Sequence, residues 1–272
     1  MRVNSPACLD RSKQPALEGS AEIERNKRAE AWYNRGDAKL LFEFLPDDSS
    51  LQSHSLREAL TLLDRISVNE GLINIVDLGC GAGESYETFL NKSKNVKWLG
   101  LDIGDSPEAA ARERKPPRFC IYDGVRIPFL ENSVDMVYSR QVFEHVRHPE
   151  TLLSEAYRIL KAGGLFVGST SHMEPLHSRS FWNYTPYGFC VLLRDAGFQS
   201  IRVRPGIDAL TLITRRIFGL VGLSDLFAPF FTVESPTNLF LEAGLRLLGQ
   251  PVKRRNYFKL VFSGHFSFMA RK

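Results

Sequence analysis

The sequence predicts an α/β fold built on a parallel sheet covered on both faces, and three observations carry that expectation. Short, nearly continuous apolar runs rich in β-branched residues recur from residue 72 onward, the pattern of strands buried on both sides. Helix-length stretches separate them, so the period switches repeatedly between strand and helix. A glycine-rich turn, Gly79-Cys80-Gly81-Ala82-Gly83, follows the first run and opens the next helix-length stretch. A sharp strand-to-helix reversal uses glycine's conformational freedom.

Residues 1–50 read as an N-terminal helical segment. The first thirty positions are polar, with Glu22, Glu24, Arg25, Lys27, Arg28 and Glu30 crowded together, and Trp32 and Tyr33 are the first large anchors. A frayed start leading into a helix is expected. Pro46-Asp-Asp-Ser-Ser then breaks the chain, and Ser55 is a candidate cap for a helix through Arg65. Leu56, Leu60 and Leu63 share one face of that helix.

The sheet domain is expected over residues 51–206 and 257–272. Its strands are Leu72–Leu78, Val96–Leu101, Phe119–Tyr122, Val134–Tyr138, Leu165–Val167 and Ser200–Arg204. Helices are expected at Glu84–Lys94, Ser106–Arg114, Pro149–Leu160 and 187–197. The third stops at Lys161-Ala-Gly-Gly and the last at Gly197, both glycine terminators. Tyr257–Phe262 and His265–Ala270 read as a final hairpin about a Ser263-Gly264 turn.

Between them, residues 207–256 read as a helical insertion. Ile207, Leu210, Ile213, Ile217 and Leu220 fall on one helical stripe, and Phe240, Leu241, Leu245 and Leu248 on another. Arg215 and Arg216 lie opposite the first stripe. Asp208, Arg215, Arg216 and Asp225 interrupt the apolar run, so it is too short to span a membrane. Two roles are open: a lid packed on the sheet, or a lid that also meets an apolar substrate or an anionic membrane through Lys253-Arg254-Arg255.

The 272 residues are 43% hydrophobic and 24% charged, ordinary values that exclude a disordered chain, a collagen repeat and a long coiled coil. Cysteines at 8, 80, 120 and 190 show no CxxC or CxxxH spacing, which argues against a disulfide scaffold or structural zinc and for a reducing, cytoplasmic setting. The N-terminal residues lack the apolar run of a signal peptide. Net charge is unevenly spread. From Ile201 onward 11 Lys and Arg face 4 Asp and Glu, so this part carries +7 and the first 200 residues −3. A basic, apolar tail behind a mildly acidic body points to two differently tasked regions, not to a nucleic-acid binder.

The glycine turn lets backbone approach a ligand closely, and the helix beyond presents unpaired N–H groups. A dinucleotide fingerprint would place glycine at the sixth position from Gly79, where Glu84 stands, and no GKS or GKT follows. The match is to Asp77-Leu-Gly79-Cys80-Gly81-Ala-Gly83, a DxGxGxG pattern, and it has companions. Asp102 ends the second strand, where a carboxylate can accept both hydroxyls of a ribose. Asp123-Gly124 ends the third. Pro128-Phe129, Ser133-Val-Asp135, Glu144-His145-Val146 and Arg158-Ile-Leu-Lys161-Ala-Gly-Gly follow in order.

Over about residues 70–200 this ordered set resembles the class I S-adenosylmethionine (SAM)-dependent methyltransferases, and more narrowly the group containing the ubiquinone-biosynthesis methyltransferases. The resemblance implies a Rossmann-like seven-stranded sheet with an antiparallel last strand, here elaborated by the insertion. It implies SAM as cofactor, with Asp77, Gly79 and Gly81 facing the methionine moiety and Cys80 and Gly83 completing the loop. Asp102 would hold the ribose and Ile103 pack on the adenine. Asp123 and Gly124 would meet the adenine edge, and Arg140 would stand at the boundary between cofactor and substrate.

Methyl transfer from a sulfonium requires nucleophile and methyl to be held close and collinear, and an oxygen nucleophile gains from a general base. His145, His172 and His177 follow the fourth and fifth strands, at the end of the sheet where open α/β folds bind ligands. His172 is the first candidate base and His145 the second; either could instead be a hydrogen-bonded loop residue or a cap. The long aromatic segment 171–186 offers His177, Trp182 and Tyr184 as a substrate wall, although its aromatics could also be core plugs.

These features point to methylation of a small-molecule, glycan or lipid-linked acceptor, most simply at oxygen. Nucleic-acid acceptors fit less well. The place of a (D/N)PPY motif reads Ser139-Arg-Gln-Val142, and no Pro-Cys dipeptide is present. An RNA-directed enzyme and a non-catalytic SAM-binding partner remain the alternatives. No His, Asp or Glu cluster has metal-ligand spacing in the sequence, so no metal is expected.

Overall fold

The computed structural model describes residues 37–50, 53–66, 71–106, 108, 118–223 and 235–272. The polar first thirty residues with Trp32 and Tyr33, most of the helix expected over 106–114, and positions 224–234 of the insertion lie outside the described residues.

Short helix α1 (Asp37–Phe42) and helix α2 (Ser55–Ile66) precede the sheet, and β1 (Ile73–Leu78) leads through the glycine loop into α3 (Ser85–Lys92). Then come β2 (Val96–Ile103), β3 (Phe119–Tyr122), β4 (Val134–Arg140), α4 (Pro149–Ile159), β5 (Leu160–Ser171), α5 (Pro186–Asp195) and β6 (Gln199–Pro205). The insertion supplies α6 (Ala209–Leu220), α7 (Pro236–Leu247) and α8 (Val252–Val261), and β7 (His265–Arg271) closes the chain. The strands form one seven-stranded sheet in the order β3-β2-β1-β4-β5-β7-β6. β1 to β5 pair in parallel, and β7 runs antiparallel to both neighbours. The α/β sheet with a reversed last strand is the fold that the sequence predicts.

Alternation along the strands builds two cores. Ile73 and Ile75 of β1 join Phe89, Trp98, Met136, Tyr138 and Val167 on one face, while Val76 and Leu78 join Val137, Phe166, Phe189 and Phe268 on the other. Side chains of a strand point to opposite faces, so nearly continuous apolar strands are what a sheet covered on both sides requires.

Two expectations are corrected. Tyr257–Phe262 is not a strand, and there is no final hairpin: helix α8 covers nearly all of that run. Its one-in-four register buries Asn256, Lys259 and Leu260 together. Asn256 Nδ2 donates to the carbonyls of Pro46 (3.2 Å) and Asp48 (2.9 Å), and Lys259 Nζ pairs with Glu242 at 2.7 Å and also reaches the Ser50 carbonyl. Burying such groups is tolerated only with partners of this kind, and a helix is what brings both to one face. The second correction concerns α6. Leu210 and Leu220, which a lid packed only on the sheet would bury, are 65% and 88% exposed, and the helix instead buries Ala209, Thr211 and Leu212. Asp208 caps it, accepting from Thr211 N at 2.8 Å, and this cap with Leu212 against Gly264 fixes which face turns inward.

Candidate active site

A cavity of about 1150 Å³ opens at the carboxyl ends of β1 to β5, the place where open α/β sheets bind ligands. One wall is the glycine loop. Gly79 has φ +70°, and a Cβ there would lie 2.3 Å from Val142 Cγ2, so neither the backbone nor the space admits a side chain. Gly79 N and Cys80 N donate to the Leu101 carbonyl at 2.7 and 3.2 Å, which ties the loop to β2. Asp102 locks it further: Oδ2 accepts from Gly81 N at 2.7 Å and Oδ1 from Ile103 N at 2.8 Å. Asp77 is buried and accepts from Ser85 Oγ, which itself takes the Trp98 indole N–H at 3.0 Å. Burial pushes the Asp77 carboxyl up to about 7, so an arriving cation would favour its ionised form. Asp123, on the surface, accepts from Val125 N and Arg126 N, and these two N–H groups lower its pKa. Arg140 reaches Glu84 at 3.2 Å across the mouth.

The other wall comes from the segments after β4 and β5, from α6 and from the start of β7. Gln141 takes φ +54°, a left-handed conformation that a non-glycine residue adopts only when its surroundings impose it. Its amide bridges Ser169 and Ser171 at 3.2 Å each. Glu144 is fully buried; Thr170 and Ser171 hydroxyls donate to it at 2.9 and 3.2 Å, and burial raises its pKa to about 7. The His145 ring stands 5.1 Å from that of His177 in an edge-on contact, and burial lowers the His145 pKa. His177 Nδ1 lies 3.6 Å from Glu174. Glu174 accepts from His265 Nε2 and Arg216 Nη2, both at 2.6 Å, and from Ser171 Oγ at 2.5 Å. Burial alone would raise its pKa, but these donors and the charge of His265 prevail and hold it near 2.

Asp77, Gly79, Cys80, Gly81, Asp102, Ile103, Asp123, Gly124, Arg140, His145 and His177 all line the cavity. Four candidates do not. Gly83 turns the chain into α3 at φ +82°. His172 is half-buried beside Phe266, with ring centroids 6.4 Å apart, behind the lining rather than in it. Tyr184 is a core plug: it packs on Phe189, and its hydroxyl donates to the Phe143 carbonyl at 3.1 Å. Trp182 anchors the loop by donating to the Val146 carbonyl at 2.9 Å. No local spacing in the sequence joins Glu174, Arg216 and His265, which meet only through the fold. Space also brings together what spacing did not: Glu144, His145 and His177 place one ligand atom each within 4.8 Å of one another. That trio could hold a divalent ion, although hydroxyls already use one lone pair on each Glu144 oxygen.

The cavity suits SAM. Its volume exceeds what one small ligand needs, its loop presents backbone at close approach, and Asp77 and Asp102 stand where a cationic, ribose-bearing molecule would be held.

Comparison with known proteins agrees. Residues 76–168 match the family model described as methyltransferase domain. A probable S-adenosylmethionine-dependent methyltransferase of Mycolicibacterium smegmatis is 30% identical over 139 residues, 46% of this chain and 52% of that protein. A ubiquinone biosynthesis O-methyltransferase of Erwinia tasmaniensis is 28% identical over 54% of this chain and 64% of its own length. The chain thus spans about half to two thirds of these relatives. A SAM-dependent methyltransferase from Archaeoglobus fulgidus shares the fold, with TM-score 0.50 and 15% identity over 80% of this chain and 94% of that one. Sequence motifs, sheet topology and relatives converge: residues 76–168 match a methyltransferase domain, and the chain is similar to SAM-dependent methyltransferases.

Proposed function

We propose that the chain methylates a hydroxyl oxygen of a small-molecule, glycan or lipid-linked acceptor. The observation that carries this reading is one cavity joining the glycine loop and Asp102 to the His145–His177–Glu174 group. When bound, SAM supplies a methyl group made electrophilic by its sulfonium. Asp77 and Asp102 hold the cofactor end. His177 is the candidate base: it takes the hydroxyl proton, and Glu174, ionised at neutral pH, steadies the imidazolium so formed. His145, kept neutral by burial, orients His177 through their ring contact. His172, being off the cavity, is assigned a packing role instead. Oxygen is in keeping with the similarity to an O-methyltransferase, and phosphoethanolamine N-methyltransferases are matched as well.

Residues 207–256 are read as a lid. Arg216 of α6 ends on Glu174 at 2.6 Å, which fastens the insertion to the acceptor side. A membrane role has less support. Lys253 is spent on Asp47 (3.2 Å) and Arg255 on Glu242 (2.9 Å), while Arg254 donates to Gln250. Among the described residues no helix is long and apolar enough to cross a membrane.

Titration calorimetry with SAM and labelled-methyl transfer to fractionated metabolite extracts test the reading together. Asp102→Ala is expected to weaken SAM binding about tenfold or more, since it removes a charged acceptor. His177→Ala is expected to keep SAM affinity and lower turnover roughly 10²–10⁴-fold, whereas His172→Ala stays near the parent. Parental turnover in His177→Ala would remove it as base; unchanged affinity in Asp102→Ala would remove the ribose assignment.

A further inference from the structure

The cavity is divided electrically along the sheet. At the ends of β1, β2 and β3 the lining includes six carboxylates, from Asp77, Glu84, Asp102, Asp105, Glu108 and Asp123, and no Lys, Arg or His among the described residues. At the ends of β4, β5 and β7, with α6, the lining reverses to four arginines and four histidines against Glu174 alone. The boundary falls between β1 and β4, where the strand order switches direction.

Ion pairs consume part of this. Arg140 is matched by Glu84 and Arg179 by Asp105, both at 3.2 Å and both across the mouth. What remains on the second side is a contiguous group around one carboxylate. Glu174 meets Arg216 and His265 at 2.6 Å and His177 at 3.6 Å. Its single charge is therefore shared among an arginine and two imidazoles. His145 adjoins His177. Two residues on, Arg147 lies over the Phe181 ring at 5.3 Å and has no ion pair among the described residues.

We infer that the acceptor bears an anionic oxygen group, a carboxylate or a phosphate, held at this end of the cavity by Arg147, Arg216 and His265. This rests on the methyl-transfer reading and narrows its substrate class. The physical reason is complementarity. A SAM molecule carries a sulfonium and an ammonium against one carboxylate, so the acidic end suits it. The end with surplus donors and positive charge suits an anion and repels a second cation. Opposite charge at the two ends also keeps each ligand out of the other's place. The same surplus disfavours a metal ion at Glu144, His145 and His177.

The test uses the full chain with and without S-adenosylhomocysteine, at constant ionic strength. Phenyl phosphate and benzoate are the anionic probes, benzyl alcohol the neutral one and benzylamine the cationic one, with binding read by calorimetry and ligand-observed NMR. Both anions are expected to bind better than benzyl alcohol, and benzylamine worst. The stronger anion tells phosphate from carboxylate. Arg147 is exposed, so Arg147→Glu is expected to fold as the parent, keep its S-adenosylhomocysteine affinity and bind the anions tenfold or more weakly. Arg147→Lys is expected to restore most of that affinity. Equal binding of neutral and anionic probes, preference for benzylamine, or anion binding indifferent to Arg147→Glu would each overturn the inference. Failure of S-adenosylhomocysteine to bind while the anions do would instead overturn the methyl-transfer reading.

Discussion

Glu174 is where the insertion, the last strand and the loop after β5 meet, and Glu174→Gln measures what that junction contributes. The carboxylate accepts from Ser171, His265 and Arg216, and its side chain is 1% exposed. Its pKa falls from 4.5 to about 2 on folding, equivalent to roughly 3 kcal/mol favouring the folded, ionised form. The sign follows from the lowered value: this stability is present above pH 4.5 and is lost as pH falls through 4.5 toward 2. At pH 7 the glutamine variant also leaves Arg216 without its partner, so about 3 kcal/mol is the expected loss, within the range for breaking a buried pair. For a chain of this size that lowers the melting temperature by roughly 6–12 °C. The assay is urea denaturation of parent and variant across pH 3 to 7. The difference is expected to be full near neutrality and to shrink steadily at the acid end. A difference that stays constant with pH, or a variant as stable as the parent at pH 7, would refute the assigned ionisation.

Three further outcomes follow from the same geometry. Gly79→Ala combines a positive φ with a 2.3 Å clash against Val142, so calorimetry is expected to show loss of SAM binding and melting to show destabilisation above about 1 kcal/mol; Gly79→Ala with Val142→Ala recovers only the part due to the clash. Lys259→Met breaks the buried pair with Glu242 and is expected to cost about 3–5 kcal/mol in denaturant unfolding, whereas the double change Lys259→Met/Glu242→Leu recovers much of it. The Lys253/Arg254/Arg255→Ala variant is expected to melt lower without changing liposome co-sedimentation, because these side chains serve internal partners; pelleting of the parent that rises with anionic lipid and vanishes in the variant would return the segment to a membrane role.

What the sequence discloses follows the range of the interactions involved. Asp77, the glycine loop, Asp102 and Asp123 each sit at a strand end inside a short motif, and local geometry alone aims them at one place. That half of the cavity is therefore readable in one dimension, and the family match over residues 76–168 covers it. Tyr257–Phe262 is ambiguous in the sequence because a six-residue apolar run satisfies strand and helix alike; what decides is Asn256 and Lys259 finding partners more than 200 residues away. His172 and Tyr184 belong to the segment after β5, and position along a loop does not tell which way a side chain points. The acceptor half is harder still. Glu174 meets Arg216 across 42 residues and His265 across 91, and all three lie beyond the matched segment. The residues assigned to the cofactor sit in contiguous motifs, while the group proposed to select an acceptor is assembled from the fold's long-range contacts. That is why the methyl donor is legible in the sequence, and why the charge inferred for the acceptor rests on the arrangement of β4, β5, β7 and α6.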